Sequence, residues 1–140
     1  MRDSTPQGFT LLELLIGIVV LTVLASIAYP SYRDATIRSR RSDAVKALTQ
    51  LQQAQERWRS SHPTYSDSLS ELNVSSPASG YYTLSIAGAD AGTFTATATT
   101  SGAQVADARC ATLSVALAAG NVTYSSKDSD GHTATNCWSR

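Results

Sequence analysis

Apolar residues are concentrated at one end of this chain: from Phe9 to Tyr29 only Thr10, Glu13, Thr22 and Ser26 interrupt a 21-residue run of apolar and small side chains. Wound as a helix rising ~1.5 Å per residue, that run measures ~32 Å, against a membrane hydrocarbon layer of ~30 Å. Of the 26 Leu, Ile and Val residues, twelve fall in the first thirty positions and fourteen in the remaining 110. The later part therefore cannot supply the apolar shell that would bury such a helix on every side, and the run reads as a membrane span.

Past Pro30 the pattern becomes amphipathic, with Ala44, Leu48, Leu51, Ala54 and Trp58 on one helical face and Arg38, Arg41, Lys46 and Arg57 away from it. Pro30 kinks or restarts the helix, and Pro63 after His62 is the predicted stop. Phe9 to His62 is 54 residues, so the helical stretch is ~80 Å long. The spacing then changes. Residues 67 to 73 read as a connection closed by the turn formers Ser75-Ser76-Pro77-Ala78-Ser79-Gly80. Tyr82, Leu84 and Ile86 alternate with polar positions, as do Phe94, Ala96 and Ala98, which predicts a hairpin with Gly88 and Gly92 between its strands. Leu113, Val115 and Leu117, then Val122 and Tyr124, predict two more strands turned at Gly120-Asn121. The predicted fold is α+β: a long N-terminal membrane-spanning helix packed on a small antiparallel sheet through Leu48, Leu51 and Trp58, with Thr-rich faces in water.

Eleven basic and eleven acidic residues cancel, and charged residues are only 16% of the 140, which excludes bulk electrostatic attraction to nucleic acid. The charge is nevertheless polarised. Residues 33 to 59 hold seven basic and three acidic side chains, net +4, while residues 60 to 140 are net −3. The basic stripe of Arg38, Arg40, Arg41, Lys46, Arg57 and Arg59 reads as a solvated helix face, with contact to DNA as its alternative. Asp128-Ser129-Asp130-Gly131 begins like a calcium loop but lacks the bidentate Glu, so it reads as a solvated loop. His62 and His132 have no nucleophile and acid to work with, and no phosphate-binding glycine motif occurs. The chain is expected to be no enzyme and to carry no metal or cofactor.

Glu13 is the anomaly within the span, since a carboxylate at mid-membrane costs ~2.5–3.5 kcal/mol and less near an end. The segment Met1 to Gly8 is hydrophilic and stops at a glycine, after which Phe9-Thr10-Leu11-Leu12-Glu13 begins at once. Cleavage between Gly8 and Phe9 would set a new α-ammonium one helical turn from the carboxylate. Gly8-Phe9-Thr10-Leu11-Leu12-Glu13-Leu14, with Pro30 beyond, resembles the prepilin-peptidase site and first helix of type IV pilins. Ser39-Arg40-Arg41-Ser42-Asp43-Ala44, Gln53-Ala54-Gln55-Glu56-Arg57, Gly80-Tyr81-Tyr82-Thr83-Leu84 and Cys137-Trp138 extend the likeness to PilE-like minor pilins.

That resemblance implies a leader at 1–8, a transmembrane and assembly helix at 9–30, and a pilin globular domain at 31–140 whose amphipathic helix runs to about 62. It implies cleavage and N-methylation at Gly8/Phe9, an assembly carboxylate at Glu13, and a disulfide between Cys110 and Cys137 bounding the carboxy-terminal loop region. The implied partners are other pilin subunits in a helical filament, prepilin peptidase, the inner-membrane assembly machinery and the inner membrane itself. The implied location is the bacterial inner membrane, single pass with a periplasmic globular domain, and then the extracellular pilus. Where the family commonly has a glycine eight residues before the proline, this chain has Thr22. On the residues alone, two cysteines 27 positions apart in a Cys-poor chain fit one disulfide in an oxidising compartment, with two unrelated thiols as the alternative.

Two observations pull the other way. Ser26-Ile27-Ala28 is a small-x-small pattern that signal peptidase cuts, leaving Tyr29 as the amino terminus, although the apolar run exceeds a signal peptide's 7 to 15 residues. Arg33, Arg38, Arg40 and Arg41 follow the span while Arg2 alone precedes it, and by the positive-inside rule they favour a cytoplasmic domain. The leader and the cysteine pair outweigh this, because a cytoplasmic domain gains nothing from Cys110 and Cys137. The expected function is a structural subunit, a minor pilin of a type IV pilus. Within that architecture the alternatives are a pseudopilin of a type II secretion system or a DNA-uptake pilin, and from a different class a secreted periplasmic binding protein.

Overall fold

The computed structural model describes residues 9–138. Contacts divide the chain into two compact units, Met1–Thr36 and Ile37–Arg140. One helix, α1 (Leu11–Arg59), passes through Pro30 without a break in helical assignment. Its start follows from local chemistry: the Thr10 hydroxyl accepts the Glu13 N–H at 3.3 Å and the Thr10 carbonyl accepts the Leu14 N–H at 3.3 Å. Thr10 is thus the N-cap and Glu13 stands at the third helical position, the Thr-x-x-Glu spacing of a capping box. In the first unit the apolar side chains are exposed all round, Leu11, Ile18, Leu24 and Ile27 among them.

The helix ends at Arg59, three residues before the expected stop at His62. Ser61 N–H and the His62 ring both turn back onto the Trp58 carbonyl, at 3.1 and 3.0 Å, while Arg59 Nη1 donates to the His62 carbonyl at 2.7 Å. The indole and imidazole then stack with centroids 3.7 Å apart. Trp58, expected in the core, is therefore half-buried against His62 instead. Gln55 takes the inward position one turn earlier. Fully buried, it clamps the following loop, its Nε2 donating to the Ser66 carbonyl at 2.6 Å and its Oε1 accepting the Ser66 N–H at 3.0 Å.

Four strands, β1 (Tyr82–Ala87), β2 (Thr93–Thr100), β3 (Thr112–Ala118) and β4 (Asn121–Lys127), form one antiparallel sheet in sequence order. Period-two alternation turns Tyr82, Leu84, Phe94, Ala96, Ala98, Leu113, Val115 and Leu117 onto Ala44, Ala47, Leu48 and Leu51 of α1. Small side chains at Ala96 and Ala98, both fully buried, let helix and sheet approach closely. The β3–β4 turn is Ala119-Gly120 rather than Gly120-Asn121, because Ala118 pairs with Asn121. Both turn residues have positive φ, +50° and +78°, as a two-residue hairpin whose twist matches its strands requires. Register sets Val122 and Tyr124 beside Leu117 and Val115 on the core-side face, yet they remain 40% and 56% exposed because the core stops short of the fourth strand.

Candidate functional site

The sequence-predicted residues fall into two groups. Gly8 lies outside the described residues; Phe9 and Glu13 are both exposed at the start of α1. The Glu13 side chain forms no salt bridge among the described residues. Its position still has a defined electrostatic character: in the first turn a carboxylate lies beside the unpaired N–H groups and the positive end of the helix dipole. The apolar residues that follow are exposed around the whole circumference, so this end of the helix offers a carboxylate on an otherwise uniformly apolar rod.

In the second unit, Cys110 and Cys137 are bonded, their Cα atoms 5.6 Å apart, and both are buried. The bond ties the short 3₁₀ turn η2 (Ala108–Cys110) to the carboxy-terminal segment. It encloses β3, β4 and the 128–136 loop, which is anchored by Ser129 N–H to Ala108 O at 2.8 Å, by Ala134 N–H to Ser126 O and Ser126 Oγ–H to Ala134 O, both at 2.9 Å, and by a bridge between Lys127 and Thr133. Closing a loop of 27 residues is worth roughly 3.5 kcal/mol in the chain-entropy account. Cys110→Ser is accordingly expected to lower unfolding free energy by about that amount, read from denaturant titration of the oxidised wild type and the variant.

Half of the basic stripe is engaged by the protein itself. Arg41, expected on the solvated face, is buried and grips Asp107 with two hydrogen bonds, Nε to Oδ2 at 2.7 Å and Nη2 to Oδ1 at 2.8 Å. That hydrogen bond outweighs the desolvation opposing it and raises the guanidinium's pKa further. Arg40 lies over the Tyr81 ring at 4.2 Å, and Arg59 donates to the Ala91 and His62 carbonyls. Asp107 stands between η1 (Gly102–Ala106) and η2, a segment with no counterpart in the sequence reading. Gln104 from η1 is fully buried beside it and its Nε2 lies 3.0 Å from Ile37 O, 3.2 Å from the Tyr82 hydroxyl and 3.3 Å from Asp107 Oδ2. Burial pushes the Tyr82 phenol up in pKa.

A polar groove of about 750 Å³ is lined by Arg38, Arg41, Arg109, Asp128, Asp130 and Asn136 among others. Asp128 in that lining is engaged by its own backbone. Asp128 Oδ1 accepts the Asp130 and His132 N–H groups at 3.0 and 2.8 Å. Slight burial raises the Asp128 pKa, and those N–H groups more than offset it, leaving the carboxyl below its ordinary value. Asp128 thus closes its own turn. His132 sits by Asp128 and His62 on Trp58, so each histidine has a local structural partner.

Comparison with known proteins agrees with this division of the chain. Residues 30–114 match the family described as type IV minor pilin ComP, DNA uptake sequence receptor, and residues 4–29 match the prokaryotic N-terminal methylation motif. The type IV major pilin protein PilE1 of Neisseria gonorrhoeae is 32% identical over 77 residues, 55% of this chain and 47% of that protein. The type IV major pilin protein PilA of Myxococcus xanthus is 38% identical over 66 residues, 47% of this chain and 30% of that one. A fimbrial protein of Pseudomonas aeruginosa is 42% identical over 50 residues, 36% of this chain and 32% of that protein. The matched stretches thus span less than half the length of these relatives.

Proposed function

We propose that this chain, which belongs to the type IV minor pilin family of ComP DNA uptake sequence receptors, is a minor structural subunit of a type IV pilus rather than an enzyme. Before assembly the helix of residues 9–30 holds it in the inner membrane with the globular unit in the periplasm; afterwards the same helix packs among those of other pilins. One observation carries the reading: a fully exposed apolar helix with a single first-turn carboxylate begins within the methylation-motif match at residues 4–29. Water does not tolerate such a surface, whereas lipid and then neighbouring helices do. The periplasmic assignment draws on the buried Cys110–Cys137 bond, since oxidising compartments preserve disulfides.

Prepilin peptidase is the implied processing enzyme, acting between Gly8 and Phe9. Gly8→Val should leave the full-length chain in the membrane, whereas the natural product should begin at Phe9, carrying one added methyl group. Intact-mass measurement of membrane and pilus fractions decides this, and a mature chain starting at Tyr29 would instead make it a secreted protein.

The DNA-receptor reading that accompanies the family description is the second one. Of the basic stripe, Arg41 is consumed by Asp107 and Arg59 by loop carbonyls, and Arg40 lies on the Tyr81 ring, which leaves Arg38, Lys46 and Arg57 as the stripe's cations with neither kind of contact among the described residues. Contact with phosphates would fall to these, because residues 60 to 140 are net −3. Salt-dependent retention of duplex DNA by the purified subunit tests that reading separately from processing.

A further inference from the structure

At the far end of the apolar run, Tyr32 and Arg33 stand three and four residues after Tyr29, so that both flank it on one face of α1. Both tyrosines are among the most exposed large side chains of the first unit, 66% and 72%, and Arg33 is exposed with no ion pair among the described residues. Amphipathic rings beside a cation, at the point where an exposed apolar helix gives way to polar sequence, match the chemistry of the lipid headgroup layer. The ring bodies suit the hydrocarbon boundary, the hydroxyls reach water, and a guanidinium forks onto phosphate oxygens. Asp34, the acidic neighbour, is five residues after Tyr29, about 140° round the helix from it, and does not share that face.

We propose that Tyr29, Tyr32 and Arg33 form a phospholipid-binding belt, with Arg33 on the phosphate of a lipid in the leaflet nearest the globular unit. This rests on the reading of residues 9–30 as a membrane span. Length supports the assignment independently of charge: Glu13 and Arg33 are twenty residues apart, ~30 Å along a helix and equal to the hydrocarbon thickness. When Arg33 lies on phosphates of one leaflet, Glu13 therefore reaches the opposite boundary, and neither charge is buried in hydrocarbon. The belt thus fixes the depth at which the unassembled subunit waits. It also gives the arginine after the span a role other than that of a topology signal.

The test uses the full chain, with ¹³C-guanidinium arginine, in phosphatidylethanolamine/phosphatidylglycerol bilayers, read by ¹³C–³¹P dipolar dephasing. The wild type should give a dephased arginine component that Arg33→Gln reduces at least threefold, and Tyr29→Ala with Tyr32→Ala should reduce it at least twofold. Both variants are expected to remain bound after carbonate extraction, since all three side chains are exposed. A chain released by carbonate would overturn the span reading and the belt together. An inserted chain whose arginine signal shows no dephasing, or keeps it in Arg33→Gln, would overturn the belt alone, the second outcome assigning the phosphate contact to other arginines.

Discussion

Asp107→Ala is expected to destabilise the globular unit by roughly 3 kcal/mol, the low end of what removing one partner of a buried ion pair costs. The low end applies because the Arg41 side chain keeps 11% of its surface in water while that of Asp107 keeps 2%. Removing the carboxylate leaves the guanidinium enclosed by α1 and the η1–η2 segment without its bidentate acceptor. Gln104 loses a neighbour as well: its Nε2 stays directed at Ile37 O and the Tyr82 hydroxyl, while its Oε1, a single acceptor with no partner among the described residues, replaces at most one of the two carboxylate contacts. Arg41→Met combined with Asp107→Leu should recover most of the loss, because apolar side chains of similar volume avoid the desolvation that the charges incur. Equilibrium unfolding in denaturant of Arg41→Met, Asp107→Leu and the pair gives the coupling directly. A near-zero effect of Asp107→Ala would mean that solvent reaches Arg41 freely.

This pair also marks where the sequence stopped being informative. The strands were legible because alternation in Tyr82–Leu84–Ile86 and Phe94–Ala96–Ala98 is a local pattern, and the helix because Ala44, Leu48 and Leu51 recur at its period. Arg41 sits one turn before Ala44 on that face, and only a partner 66 residues away turns it inward. Nothing near Asp107 in the chain announces that partner, and the 3₁₀ turns that present it lack the periodicity of either regular element. Gln55 did carry a signal. It follows Leu48 by seven and Leu51 by four, squarely on the apolar face, and a polar residue at such a position implies a buried hydrogen-bond role. The Ala119-Gly120 turn slipped by one residue because Asn121 is as good a turn former as Gly120, and only the Ala118–Asn121 pairing decides between them. The proposed amino-terminal site rests on a compact motif, since Gly8, Phe9 and Glu13 lie within six consecutive residues.

Glu13→Gln is expected to reach the membrane and be cleaved after Gly8 as the wild type is, yet to enter filaments at least tenfold less. The position makes both halves of that expectation. In the bilayer Glu13 is one turn from the end of the span, so its carboxylate reaches headgroups and water, and replacing it changes insertion little. Packed among the apolar side chains of other pilin helices, the same carboxylate would lose that water, and an unpaired charge there costs several kcal/mol. The available cation is the α-ammonium that cleavage creates at Phe9, on the same chain or on the next. Only a pairing between chains distinguishes one axial register from another, because an intrachain pair is satisfied in all of them. The Thr10 cap bears on this choice: it begins the helix at Leu11 and holds the Glu13 backbone in the first turn, where the side chain is exposed. Gln keeps the size and the capping-box geometry but not the charge, so it separates register selection from helix capping. Glu13→Val should fail equally, while Thr10→Ala, which weakens the cap and leaves the carboxylate, should assemble far better than either. Membrane level, amino-terminal mass and filament incorporation measured on the same cultures provide the comparison. Normal incorporation of Glu13→Gln would reduce the carboxylate to a capping residue and leave apolar packing alone to set the register.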